Sequence, residues 1–153
     1  MTTAAQRRAG MARCGLGAVL LLWAGMLVGV SFLAAPAKFM APTLSLPVAM
    51  EIGREEFHVL NVAETVCALV ALALAGLGRP GRLIWLGIAG AAVLVPMQGL
   101  WLLPVLDARA ETIIQGGTPP AAPWHSLYIA AEVLKLVALL ATGWLVLRRL
   151  QSA

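Results

Sequence analysis

The chain has 153 residues, of which 61% are hydrophobic and 12% charged, with a formal net charge of +4 at pH 7. That balance inverts the composition of a soluble globular domain; with a mean hydropathy of +0.89 it makes lipid hydrocarbon the solvent for most side chains. Disorder and nucleic-acid binding are excluded with solubility, because positive charge on a membrane chain reports orientation rather than a polyanionic partner.

Four runs are long and apolar enough to cross a bilayer, at about residues 14–35, 59–77, 83–106 and 124–147. They predict an all-α integral membrane protein, a bundle of four transmembrane helices forming a single domain over residues 1–153. The first run follows Arg7, Arg8 and Arg13. Its apolar stretch of about 22 residues exceeds the roughly 7 to 15 of a signal-peptide core, so it reads as a retained helix. Gly25 and Gly29 form a G-x-x-x-G pair within it, a pattern that lets helices pack closely. Cys14 and Cys67 make no C-x-x-C or zinc spacing and read as small buried hydrophobes.

The connection over about 36–58 is punctuated by Pro36, Pro42 and Pro47, which argue against a regular helix as far as Pro47. From Val48 to Phe57 the chain can be helical, with Ser45 and Pro47 as a helix entry leading into the second span. There Arg54, His58, Asn61 and Thr65 follow at spacings of four, three and four, and Glu64 lies on an adjoining face. Gly78-Arg79-Pro80-Gly81-Arg82 reads as a tight turn. Span three contains a small pair, Gly87 and Ala91, and Pro96 just before Gln98, where a kink is expected. The connection over about 107–123 is rich in Gly and Pro and reads as extended. In span four, His125, Tyr128, Glu132, Lys135 and Thr142 fall on one helical face of an otherwise apolar segment. Trp85, Trp124 and Trp144 suit an interfacial belt.

Seven arginines, at 7, 8, 13, 79, 82, 148 and 149, fall on one side of this topology, against Lys38, Arg54 and Arg109 on the other. The acidic loop residues Glu51, Glu55, Glu56, Asp107 and Glu111 all share the second side. The positive-inside rule then predicts cytoplasmic termini (N-in/C-in) for a multi-pass protein of the cell's inner membrane. Its partners would be the lipid bilayer and a membrane-protein subunit or second copy, with no nucleic acid.

A charge at the bilayer centre costs about 2.5–3.5 kcal/mol, so Glu64, Glu132 and Lys135 must face the bundle interior or a wet cavity. At 1.5 Å of rise per residue, Glu64 lies about 10 Å below the outer end of its helix, and Gln98 and Glu132 about 12 Å below theirs. Glu64, Gln98, Tyr128, Glu132 and Lys135 therefore form one polar cluster, with Arg54, His58, Asn61 and His125 toward an outer mouth. Two readings stay open: a chamber reached from outside that handles ions, protons or a small solute, and a clamp that merely joins the spans. A non-catalytic subunit or scaffold is the functional counterpart of the clamp. No nucleotide loop, nucleophile motif, H-E-x-x-H or paired-cysteine site is present. Whether the chain is an enzyme is thus left open, and no cofactor is expected. The alternative is a haem- or metal-binding oxidoreductase with His58 and His125 as ligands and Met40, Met50 and Met97 as soft donors.

Four segments in order, Ser31 to Phe39, Gly53 to Phe57, Trp101 to Arg109 and His125 to Tyr128, resemble an uncharacterised four-span family of small bacterial membrane proteins related to a human transmembrane protein of unsettled role. The resemblance implies a four-helix integral membrane fold and supplies no reaction, substrate or catalytic residue. A lesser likeness, to the four-span anthrone-oxygenase-like family, breaks where span three closes on Leu-Asp-Ala-Arg instead of an asparagine-rich ending.

Overall fold

The computed structural model describes residues 3–151, and among these every regular element is helical. Four helices, α1 (Ala4–Met40), α2 (Leu46–Gly78), α3 (Arg82–Ile114) and α4 (Trp124–Gln151), are each long and apolar enough to cross a membrane. At 28 to 37 residues they run about 42 to 55 Å, longer than a hydrocarbon core of about 30 Å. Their ends therefore project beyond the apolar layer.

That length corrects the expected connections. Most of 36–58 and 107–114 is helix, and only 41–45 and 115–123 join the helices at that end. Pro36 does not stop α1; the winding before it is π-helical over Val28–Ala34 and the helix runs on to Met40. Proline has no amide to donate in either winding, but π-type bonds, such as that from Ala35 N–H to the Val30 carbonyl, carry the helix up to it. Pro47 sits in the first turn of α2, with Ser45 at the cap position; there the missing proline N–H would have no partner in any case. At Pro96, where the sequence predicts a kink, the winding changes: a π-helical stretch, Gln98–Leu102, follows at once. Between α2 and α3, Arg79 and Gly81 turn the chain with φ of 46° and 96°.

Polarity follows from three contacts. Arg13 Nε donates to the Gly78 carbonyl at 2.8 Å and Arg149 donates to the Pro80 carbonyl, so the start of α1, the α2–α3 turn and the end of α4 share one end. His58 meets Asp107 at the other. The first is the basic end and the second the acidic end.

A core at the basic half packs Leu16, Leu20, Trp23 and Leu27 of α1 against Ala68, Ala71 and Ala75 of α2, Ile84, Ile88 and Ala91 of α3, and Leu139 and Val146 of α4. Small residues do bring the helices close, but they are not the pair expected in span one. A Cβ on Gly25 or Gly29 would meet nothing within 4 Å among the described residues, so that motif makes no close contact: Gly25 is exposed and Gly29 borders an open groove beside α2. Close approach occurs at Gly87, where a Cβ would collide with Thr142, and at Ala71 and Ala75, both fully buried. Cys67 is buried as expected, whereas Cys14 is exposed. Val59, Val62, Val66 and Leu69 of α2 and Leu134, Val137 and Leu140 of α4 are exposed, an apolar outer surface suited to lipid.

Candidate functional site

Lys135 organises the interior polar cluster. Its ammonium, fully buried, donates to the Glu64 carboxylate at 2.7 Å, to Gln98 Oε1 at 2.6 Å and to Glu132 Oε1 at 2.8 Å. An ammonium has three protons, and each has an acceptor. Gln98 Nε2 donates to Glu132 Oε1 at 2.7 Å, which closes a ring of α3 and α4 groups around Lys135. Glu64, Gln98, Glu132 and Lys135 are all at 0–1% exposure, so each lost contact would strand a polar group where water does not reach it.

Helix α1 completes the site, a contribution the sequence reading missed. Trp23 Nε1 donates to Glu64 Oε1 at 2.8 Å and Ser31 Oγ to Glu132 Oε2 at 2.7 Å. The available signal was chemical rather than periodic: between Gly15 and Ala37 these are the only side chains with a strong N–H or O–H donor. Ser31 lies inside the first π-helical turn and Gln98 opens the second. Such turns displace side chains from the regular α-helical positions and recur at functional sites.

With both carboxyls ionised, the two glutamates and one lysine sum to one negative charge. The group is neutral only when it also holds one proton or one monovalent cation. Isolated charge in a medium of low dielectric is costly, so this imbalance is the cluster's principal chemical property.

Glu132 has a second role in the geometry, because together with Ser31 and Tyr128 it lines a cavity of about 600 Å³ on the acidic half of the bundle. The walls are mainly apolar, with Phe32, Phe39, Phe57, Leu103, Leu106 and Ile129, and charged groups Lys38, Arg54, Asp107 and Arg109 also border it. Phe57 stacks edge-on against Tyr128 with ring centroids 5.1 Å apart. The Tyr128 hydroxyl is buried without a hydrogen-bond partner among the described residues. A buried hydroxyl without a partner is costly and calls for an explanation; here it is a vacant polar contact beside Glu132.

The expected outer mouth is only partly assembled. Arg54 and His125 line the cavity, and Arg54 pairs with Glu111 at 3.0 Å. His58 does not line it; its Nε2 meets Asp107 at 2.8 Å. Asn61 also lies outside the lining, donating to the Val95 carbonyl at 3.0 Å and packing on Gly99, where a Cβ would collide with it. Asn61 thus serves the disturbed winding around Pro96 rather than the entrance. Thr65 and Thr142 return their hydroxyls to the carbonyls of Asn61 and Ala138 on their own helices. Lys38 and Glu56, at 2.6 Å, tie the end of α1 to α2. Of the methionines considered, Met50 lines the cavity, Met40 is exposed and Met97 packs against the cluster of Leu102, Leu103 and Tyr128. Among the described residues no three His, Cys, Asp or Glu side chains gather so as to hold a metal ion.

Comparison with protein-family models, with curated proteins and with solved structures finds no match to this chain.

Proposed function

We propose that this is a multi-pass inner-membrane protein, termini in the cytoplasm, that admits a small amphipathic solute from the outer side and exchanges a proton or monovalent cation at the Glu64–Lys135–Glu132 cluster. One observation carries the reading: Glu132 belongs both to the charge-imbalanced cluster and to the cavity wall. A solute with an apolar body would lie against Phe39, Phe57 and Leu106, and its polar group would take the vacant contact at the Tyr128 hydroxyl. The orientation rests on the seven arginines gathered at the basic end.

The test is flux in proteoliposomes under an imposed pH, Na⁺ or K⁺ gradient. Protein-bearing vesicles should dissipate one of these gradients faster than empty ones, and Glu132→Gln and Glu64→Gln should remove the difference while the proteins still elute as single species. Equal flux with and without protein, or undiminished flux in both Gln variants, would refute it. The clamp reading is favoured by the saturation of all three Lys135 protons, and it predicts that both substitutions leave every transport measurement at the empty-vesicle baseline.

A further inference from the structure

The acidic end of the bundle carries five carboxylates outside the cluster, Glu51, Glu55, Glu56, Asp107 and Glu111, and three cations, Lys38, Arg54 and Arg109. All three cations border the solute cavity, whereas of the five acids only Asp107 does. The acids that pair with Lys38 and Arg54, Glu56 at 2.6 Å and Glu111 at 3.0 Å, stand outside the lining. An end that is acidic as a whole thus turns its positive groups toward the cavity. We infer that the solute exchanged here, on the functional reading proposed above, is an amphipathic organic anion: a carboxylate with an apolar body, recognised by the Arg109 guanidinium and the Tyr128 hydroxyl.

What the wall has left to offer decides the sign. Its acceptors are engaged, Asp107 with His58 at 2.8 Å and Glu132 with Ser31, Gln98 and Lys135. Its donors are not exhausted. Arg109 has no carboxylate partner among the described residues; its terminal nitrogen bonds the Pro120 carbonyl at 2.6 Å. A guanidinium has five N–H donors in a planar fork, so one such bond leaves most of them. The Tyr128 hydroxyl, on a residue 1% exposed, has no partner at all among the described residues. A ligand that satisfies these groups must bring acceptors, and an ionised carboxylate is acceptor-only and matches the arginine fork.

Charge and size narrow the class. One guanidinium without an ion pair balances one negative charge, which a carboxylate carries; a phosphate monoester, at about −1.5 to −2, exceeds it. The remaining wall is aromatic and aliphatic, with Phe32, Phe39, Phe57 and Leu106, around about 600 Å³. That volume suits a small organic molecule whose apolar part is enclosed.

The test is calorimetric titration of the purified full-length chain in neutral detergent, against empty micelles, with four probes: sodium 4-phenylbutyrate, sodium octanoate, 4-phenylbutyramide and 4-phenylbutylamine. The intact protein should bind both carboxylates at least about tenfold tighter than the amide or the amine. This ranking needs no variant. Arg109→Gln should weaken both carboxylates about tenfold and leave the amide unchanged, and Arg109→Lys should restore part of the loss, since it keeps the charge without the fork. Tyr128→Phe should weaken carboxylate and amide alike. Glu51→Gln, exposed and outside the lining, should bind as the intact protein does, and thermal unfolding checks that each variant is folded. Binding of neither carboxylate, an amide or amine bound as tightly, or an equal loss of all probes in Arg109→Gln would overturn the proposal. Selective carboxylate binding by a protein that leaves ion flux at the empty-vesicle level would keep the anion site and refute exchange at the cluster; gradient dissipation by a protein that prefers the amine would do the reverse.

Discussion

Replacing Lys135 with methionine keeps an unbranched apolar stem one atom shorter than lysine and removes the charge. Three bonds disappear, at 2.6, 2.7 and 2.8 Å. Glu64 then retains only the Trp23 indole, whereas Glu132 keeps Ser31 and Gln98. Side-chain hydrogen bonds in membrane bundles average about 0.6 kcal/mol, or about 2 kcal/mol over three. Stranding one partner of a buried pair costs about 3–5 kcal/mol, and here two carboxyls at 0–1% exposure lose their common cation. The second effect should dominate, giving a loss of about 3 kcal/mol or more. Unfolding by SDS from mixed micelles, with helicity and tryptophan fluorescence followed together, measures it. The buried Trp23 indole reports the cluster directly because it bonds Glu64. Combining Lys135→Met with Glu64→Gln removes a charge of each sign and should recover at least about 1 kcal/mol, a coupling typical of groups in one network. A loss below about 0.5 kcal/mol in the single variant, or strict additivity in the double, would refute a cluster held together by Lys135.

Tyr128→Phe removes a hydroxyl that has no partner, so stability should stay level or rise by up to about 1 kcal/mol while solute binding weakens; a clear fall in melting temperature would mean the hydroxyl is bonded within the fold. Gly87→Val drives a side chain into Thr142 and should cost about 1–3 kcal/mol in the same SDS unfolding assay. Gly25→Ala meets nothing within 4 Å and should stabilise by about 0.5–1 kcal/mol; the reverse ranking would show that the span-one glycines are the packed ones. In a background lacking Cys14 and Cys67, Thr118→Cys should react with an impermeant maleimide in intact cells and Gln151→Cys only after permeabilisation. Labelling of Gln151→Cys from outside would reverse the assigned orientation.

The sequence by itself determined what depends on one helix at a time. Runs of apolar residues set the number of helices, and the spacing of Tyr128, Glu132, Lys135 and Thr142 placed them on one buried face of α4, because a 3.6-residue period is a property of a single segment. Burial of Glu64 and Gln98 was legible for the same reason: hydrocarbon does not accept them alone. Relations between helices needed the tertiary structure. Gly25 and Gly29 matched a packing motif but touch no neighbouring helix closely, while Gly87 meets Thr142; the rotation of each helix about its axis decides this, and no local pattern encodes it. Periodicity could not mark Trp23 and Ser31 as site residues because a lone donor in an apolar run has no period; their chemistry alone set them apart, and only the approach of α1 to Glu64 and Glu132 gave them partners. Asn61 and His58 kept the predicted helical spacing yet left the cavity, since the distorted winding after Pro96 claimed Asn61 and Asp107 claimed His58. Pro36 likewise suggested a stop that α1 does not make, its winding becoming π-helical before the proline and continuing past it, because whether a helix continues through such a disturbance depends on the neighbours packed against it.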